Sequence, residues 1–64
     1  MKTRIKELRA KLDLTQEELS KKASISVKQL QRIEREISNP NMITLERIAK
    51  GLNTTLIYLL NDEK

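Results

Sequence analysis

The chain has 64 residues, carries 13 Lys plus Arg against 9 Asp plus Glu for a net charge of +4, and contains no His and no Cys. That length gives one small domain, residues 1–64, burying only about 60% of the surface its unfolded chain exposes. Without Cys or His there is no disulfide framework, no thiol nucleophile, no Ser-His or Cys-His pair and none of the usual zinc ligands, so no catalytic residue, metal or cofactor is expected, and the chain reads as a binding module, not an enzyme.

Good helix formers run throughout, with one Gly, one Pro and no alternating apolar/polar stretch. Five short helices are predicted. The first covers about residues 3–12, with Thr3 as N-cap and Ile5, Leu8 and Leu12 on one face. Asp13-Leu14 makes the turn. Thr15-Gln16-Glu17-Glu18 opens the second helix as a capping box, with acids at its positive end, Lys21 and Lys22 toward its negative end, and Leu19 and Ala23 on its buried stripe. Ser24-Ile25 is a tight break. Ser26 caps the third helix, which runs to about Glu36. Pro40 closes the loop that follows, because it cannot continue a hydrogen-bond ladder and disfavours helix at Asn39. Asn41 caps a fourth helix carrying Leu45, Ile48, Ala49 and Leu52. Thr54 or Thr55 starts a fifth with Leu56, Leu59 and Leu60. The polar tail, residues 61–64, is expected to fray.

The positive charge is uneven. Lys2, Arg4, Lys6, Arg9 and Lys11 face only Glu7 in the first 12 residues, and Lys21, Lys22, Lys28, Arg32 and Arg35 face only Glu34 across residues 19–35. An anionic partner is expected on that side. No apolar run reaches the ~18 residues of a membrane span, and no signal-peptide pattern is present. A cytoplasmic protein, bacterial or phage-encoded, with no membrane partner is the expectation. Tyr58 is the only aromatic residue, which argues against a single-strand binder that stacks bases on several rings.

The informative stretch is residues 14–35, two short helices about a turn of two or three residues, the proportions of a helix-turn-helix (about residues 15–36). On a wheel of about 100° per residue with Val27 at 0°, Leu30, Ile33 and Ile37 fall at about 300°, 240° and 280°, a narrow core stripe. Val27, Gln31, Arg35, Lys28 and Arg32 fall at about 0°, 40°, 80°, 100° and 140°. The face away from the core thus holds two Arg, one Lys and one Gln with no acid. These residue types suit guanine O6/N7, adenine N6/N7 and phosphate, and Val suits a thymine methyl.

The run Leu14-Thr15-Gln16-Glu17-Glu18-Leu19-Ser20, then Ile25-Ser26, Gln31-Arg32-Ile33-Glu34-Arg35 and Asn39-Pro40 resembles the phage repressor and Cro family of helix-turn-helix proteins, also called the xenobiotic-response-element type. Residues 45–52, Leu-Glu-Arg-Ile-Ala-Lys-Gly-Leu, resemble that family's fourth helix. The resemblance implies an all-α, five-helix lambda-repressor-like DNA-binding domain. It implies that Val27, Lys28 and Arg32 read bases. Gln16, Ser26, Gln31, Arg35, Ser38 and Asn39 would lie against the DNA backbone, although Val27 also reads as a half-buried packing residue. It implies a salt bridge between Arg9 and Glu34, with Glu34 at about 340° on the wheel, the margin of the core stripe; a surface pair is the alternative.

Two positions depart from the family pattern. Ser24 stands in the helix-turn-helix turn, where relatives often carry Gly at positive φ, and Glu36 stands where they often carry Gly after the Ile-Glu-Arg run, bringing an acid toward the phosphate-contacting loop. In the last helix, Tyr58 looks like the family's core aromatic. Leu56 and Leu59 are expected to pack inward, Ile57 and Leu60 to face out. Leu56, Ile57 and Leu60, with Ile37 and Pro40 nearby, form the expected dimer contact, against the plainer reading of Ile57 as an isolated exposed apolar residue. The implied function is a sequence-specific double-stranded DNA-binding regulator, a repressor that acts as a homodimer on a near-palindromic operator. With no residues for a separate activation or sensor domain, repression would come from occupying a promoter. The alternative is an antitoxin-like or other protein-interaction module of the same fold.

Overall fold

The structure, a computed structural model, describes residues 3–60; the fraying expected over residues 61–64 lies outside them. Five helices follow in order: α1 (Ile5–Lys11), α2 (Gln16–Ala23), α3 (Val27–Glu34), α4 (Met42–Gly51) and α5 (Leu56–Leu60). No strand occurs among the described residues.

The helix starts follow the cap chemistry. Thr15 Oγ1 accepts from the Glu18 amide at 3.0 Å while Glu18 Oε1 accepts from the Thr15 amide at 2.8 Å, a reciprocal capping box. Ser26 Oγ accepts from Gln29 N at 3.0 Å and Asn41 Oδ1 from Thr44 N at 2.8 Å. Thr55, not Thr54, caps α5, its Oγ1 accepting from Tyr58 N at 3.2 Å. The first helix departs from expectation. It starts at Ile5 behind Arg4, which makes no side-chain cap, and Thr3 Oγ1 reaches Ile5 N only at 3.4 Å. The start of α1 is instead tied to α5 by the Arg4 amide, which donates to the Leu59 carbonyl at 3.0 Å.

Four helix ends share one construction. Asp13, Ser24, Glu36 and Asn53 hold φ of 57°, 59°, 62° and 58°, all non-glycine residues in the left-handed region. At each, paired hydrogen bonds reach back over the last turn: Asp13 N to Ala10 O with Leu14 N to Arg9 O, Ser24 N to Lys21 O with Ile25 N to Ser20 O, Glu36 N to Ile33 O with Ile37 N to Arg32 O, and Asn53 N to Lys50 O with Thr54 N to Ala49 O. These are Schellman motifs, which satisfy carbonyls that a helix end would orphan. The turn at Glu36 ends α3 at Glu34, two residues before the expected boundary. It also takes Ile37 off the helical register, leaving it 66% exposed instead of continuing the Leu30–Ile33 stripe.

The core is aliphatic. Ile5, Leu19, Leu30, Ile33, Leu45, Ile48 and Leu59 are essentially inaccessible, so every helix contributes at least one anchor worth roughly 1.5–3 kcal/mol on burial. Packing between α2 and α4 is the most extensive helix contact. Gly51 permits that approach: a Cβ there would stand 3.1 Å from Leu19 Cδ1 and 3.2 Å from Lys22 Cβ. Three apolar expectations are corrected. Leu12 lies beyond the end of α1 and is half exposed. Leu60 packs partly against the core instead of facing out. Tyr58 is exposed, not a core aromatic; the small core is filled by aliphatic side chains, and its ring lies under the Arg4 guanidinium at 5.1 Å.

Candidate nucleic-acid interface

Ser24 and Ser26 set the angle between α2 and α3. The left-handed Ser24 reverses the chain, Ile25 packs against the core beneath the turn, and Ser26, extended at φ −81° and ψ 156°, starts α3. One helix therefore braces the other across a three-residue turn. Ala23, buried at the end of α2, leaves room for that approach.

The exposed face of α3 carries Lys28, Gln31, Arg32 and Arg35. Glu34, the acid within α3 itself, is turned inward with a side chain only 4% exposed. Its carboxylate accepts from Arg9 Nε at 2.8 Å and Arg9 Nη2 at 3.2 Å. Arg9 Nη1 donates to the Leu14 carbonyl at 2.9 Å, so one guanidinium ties α1, the following turn and α3 together. Withdrawing this acid leaves the face formed by Lys28, Gln31, Arg32 and Arg35 cationic, as an anionic ligand requires.

Gln16, the first residue of α2, is half buried beside this pair. Its Nε2 donates to Glu34 Oε1 at 3.0 Å, and its Oε1 accepts from Gln31 Nε2 at 3.3 Å. Neither contact was read from the sequence; the partners are separated by 18 and 15 residues, and only the crossing of α2 over α3 brings them together. One Gln16 N–H remains for a ligand at the positive end of α2. Ser26 is exposed, and its hydroxyl oxygen caps α3 while its proton is free to donate elsewhere. Val27 is half buried at the start of α3, Ser38 is half buried, and Asn39 is exposed in the loop after α3. At the other proposed contact, Ile37 and Ile57 are 66% and 79% exposed, whereas Pro40, Leu56 and Leu60 are half buried.

Comparisons with known proteins agree with this geometry. Residues 5–59 match the helix-turn-helix family. An uncharacterised helix-turn-helix-type transcriptional regulator of Archaeoglobus fulgidus is 35% identical across all of this chain and 93% of its own length. The immunity repressor protein of Bacillus phage phi105 is 38% identical over 94% of this chain; the match spans 42% of the phage protein. Among solved structures, a chain of the SinR–SinI protein complex superposes with a TM-score of 0.87 at 32% identity, covering 92% of this chain and 58% of that one. With the Schellman turn at Ser24, the cationic face of α3 and these matches together, the chain belongs to the helix-turn-helix family of the phage repressor and Cro type, DNA-binding transcriptional regulators.

Proposed function

We propose that this protein is a non-catalytic, cytoplasmic repressor that binds a near-palindromic operator as a homodimer, with α3 in the major groove. The observation that carries the reading is the acid-free exposed face of α3, with Glu34 folded away beneath it. Lys28 and Arg32 read base edges and Val27 contacts a thymine methyl. Gln16, Ser26, Arg35 and the Ser38–Asn39 backbone hold phosphates and set the register. Two subunits would read half-sites about 34 Å apart. The dimer contact centres on Ile57, with Ile37, Pro40, Leu56 and Leu60 around it, the last two shared with the core.

A salt-controlled binding assay on duplexes selected from a random pool tests this. Arg32→Ala is expected to relax preference at one base pair and weaken binding by roughly 1–3 kcal/mol, and affinity should fall steeply with salt. An Arg32→Ala protein with parental affinity and selectivity would remove α3 from the groove. A second reading, an antitoxin-like or other module that binds a protein, takes support from the solved neighbour being one chain of a two-protein complex. Salt-insensitive capture of a protein partner with no duplex binding would favour it.

A further inference from the structure

We propose that Gln31 is a base-reading residue for adenine, its amide aimed by a hydrogen-bond relay in which Arg9 and Gln16 both donate to Glu34 and Gln31 donates to Gln16. The proposal rests on the DNA-binding function above and moves Gln31 from the phosphate backbone to a base edge.

The relay fixes how both amides are turned because its two first members are chemically one-sided. A guanidinium only donates and a carboxylate only accepts. Glu34 Oε1 receives Arg9 Nη2 and can receive nothing from Gln16 except its Nε2, which donates at 3.0 Å. With Nε2 held there, Gln16 turns Oε1 toward α3, where it accepts from Gln31 Nε2 at 3.3 Å. Reversing Gln16 would set an oxygen against the carboxylate, and reversing Gln31 would set oxygen against oxygen. Both amides are thus oriented by the chemistry of the Arg9–Glu34 pair.

What remains free on Gln31 is Oε1 and one N–H. That donor and acceptor side by side match the N6 donor and N7 acceptor of adenine in the major groove. A phosphate offers acceptors only and would use the N–H while leaving Oε1 unmatched. Gln31 lies on the exposed side of α3, one turn on from Val27 and one residue before Arg32. A side chain already held in place also loses less rotamer freedom on binding.

The test is selection from random duplexes with the parent, Gln31→Ala and Gln16→Ala proteins, each checked for folding by thermal melting. The parent pool is expected to show adenine at one position that Gln31→Ala relaxes by roughly 5- to 100-fold while the other positions keep their preferences. Gln16→Ala should loosen that same position. A pure phosphate contact would weaken all sequences alike, so a Gln31→Ala pool with the parental preferences overturns the assignment and leaves DNA recognition standing. A Gln16→Ala pool that keeps the full adenine preference overturns the relay. A parent that enriches no sequence removes the DNA reading itself, and the proposal with it.

Discussion

Arg9 and Glu34 meet through two hydrogen bonds, Nε to Oε2 at 2.8 Å and Nη2 to Oε1 at 3.2 Å, with side chains 17% and 4% exposed. The pair joins α1 to α3 across 25 residues of sequence. A third partner, the Leu14 carbonyl, and a fourth, the Gln16 amide, complete the cluster, and no buried side-chain polar atom is unpaired among the described residues. The surface pairs Arg4–Glu7 and Lys11–Glu7, at 4.0 and 3.9 Å, are of a different kind and contribute roughly 0–1 kcal/mol each at most.

Removing one member of the buried pair leaves the other charge without its partner. Arg9→Ala is therefore expected to destabilise the fold by roughly 3–5 kcal/mol, a large part of the stability of a domain this small. Replacing both with apolar residues of similar size, Arg9→Met with Glu34→Leu, is expected to recover most of that loss. Urea unfolding of the three proteins checks this. An Arg9→Ala midpoint equal to the parent's would show that the pair does not hold α1 on α3.

The four left-handed helix ends give a second expectation. Ser24 and Glu36 carry Cβ atoms at φ 59° and 62°, where a left-handed conformation costs an L-residue roughly 1–2 kcal/mol. Glycine removes that strain but adds unfolded-state entropy. The net gain for Ser24→Gly and for Glu36→Gly is expected to be about 0.5–1 kcal/mol each, seen as a rise of several degrees in Tm for about 1 kcal/mol in a domain of this size. Thermal melts showing a loss would mean that these side chains contribute more than their backbones are strained.

Much of this was legible in the residues. Caps at Thr15, Ser26 and Asn41 were local chemistry, readable because the bonding partners lie three residues away. The buried anchors Leu19, Leu30, Ile33, Leu45 and Ile48 followed from helical spacing. A helical wheel fails past a turn: Leu12 and Ile37 sit on the predicted stripes only if the helix continues, and Schellman turns at Asp13 and Glu36 end it first. Tyr58 departs from the core position that the resemblance implies; the local pattern does not show that Arg4 covers its ring. The Gln16–Gln31 contact depends on a crossing angle, which no single helix encodes.

Glu36 links stability to binding. Its carboxylate is exposed at the end of α3, next to the Ile37–Pro40 loop proposed to lie along a strand. Negative charge there opposes phosphate. Glu36→Gly and Glu36→Gln are both expected to tighten duplex binding severalfold at low salt, with the gain shrinking as salt rises. Glu36→Gln keeps the left-handed strain, so an increase common to both variants reports charge and not backbone. Equal affinity for parent and both variants would place Glu36 away from the DNA.

Self-association gives the last expectation. Ile57 is 79% exposed, the most exposed large apolar side chain among the described residues, on a helix whose neighbouring Leu59 is fully buried. A single exposed aliphatic residue is ordinary. With Ile37 at 66% exposure, and Pro40, Leu56 and Leu60 half covered, Ile57 is proposed to form the apolar centre of a small self-complementary contact. A charge introduced at that centre has to be desolvated or the contact opened. Ile57→Lys is therefore expected to sediment as a monomer at concentrations where the parent shows a larger average mass, and to bind a full operator more weakly while keeping the parent's affinity for an isolated half-site. Since Ile57 does not contribute to the core, its Tm as a monomer should stay close to the parent's. Equal masses for the two proteins, free and on DNA, would move the dimer contact off α5.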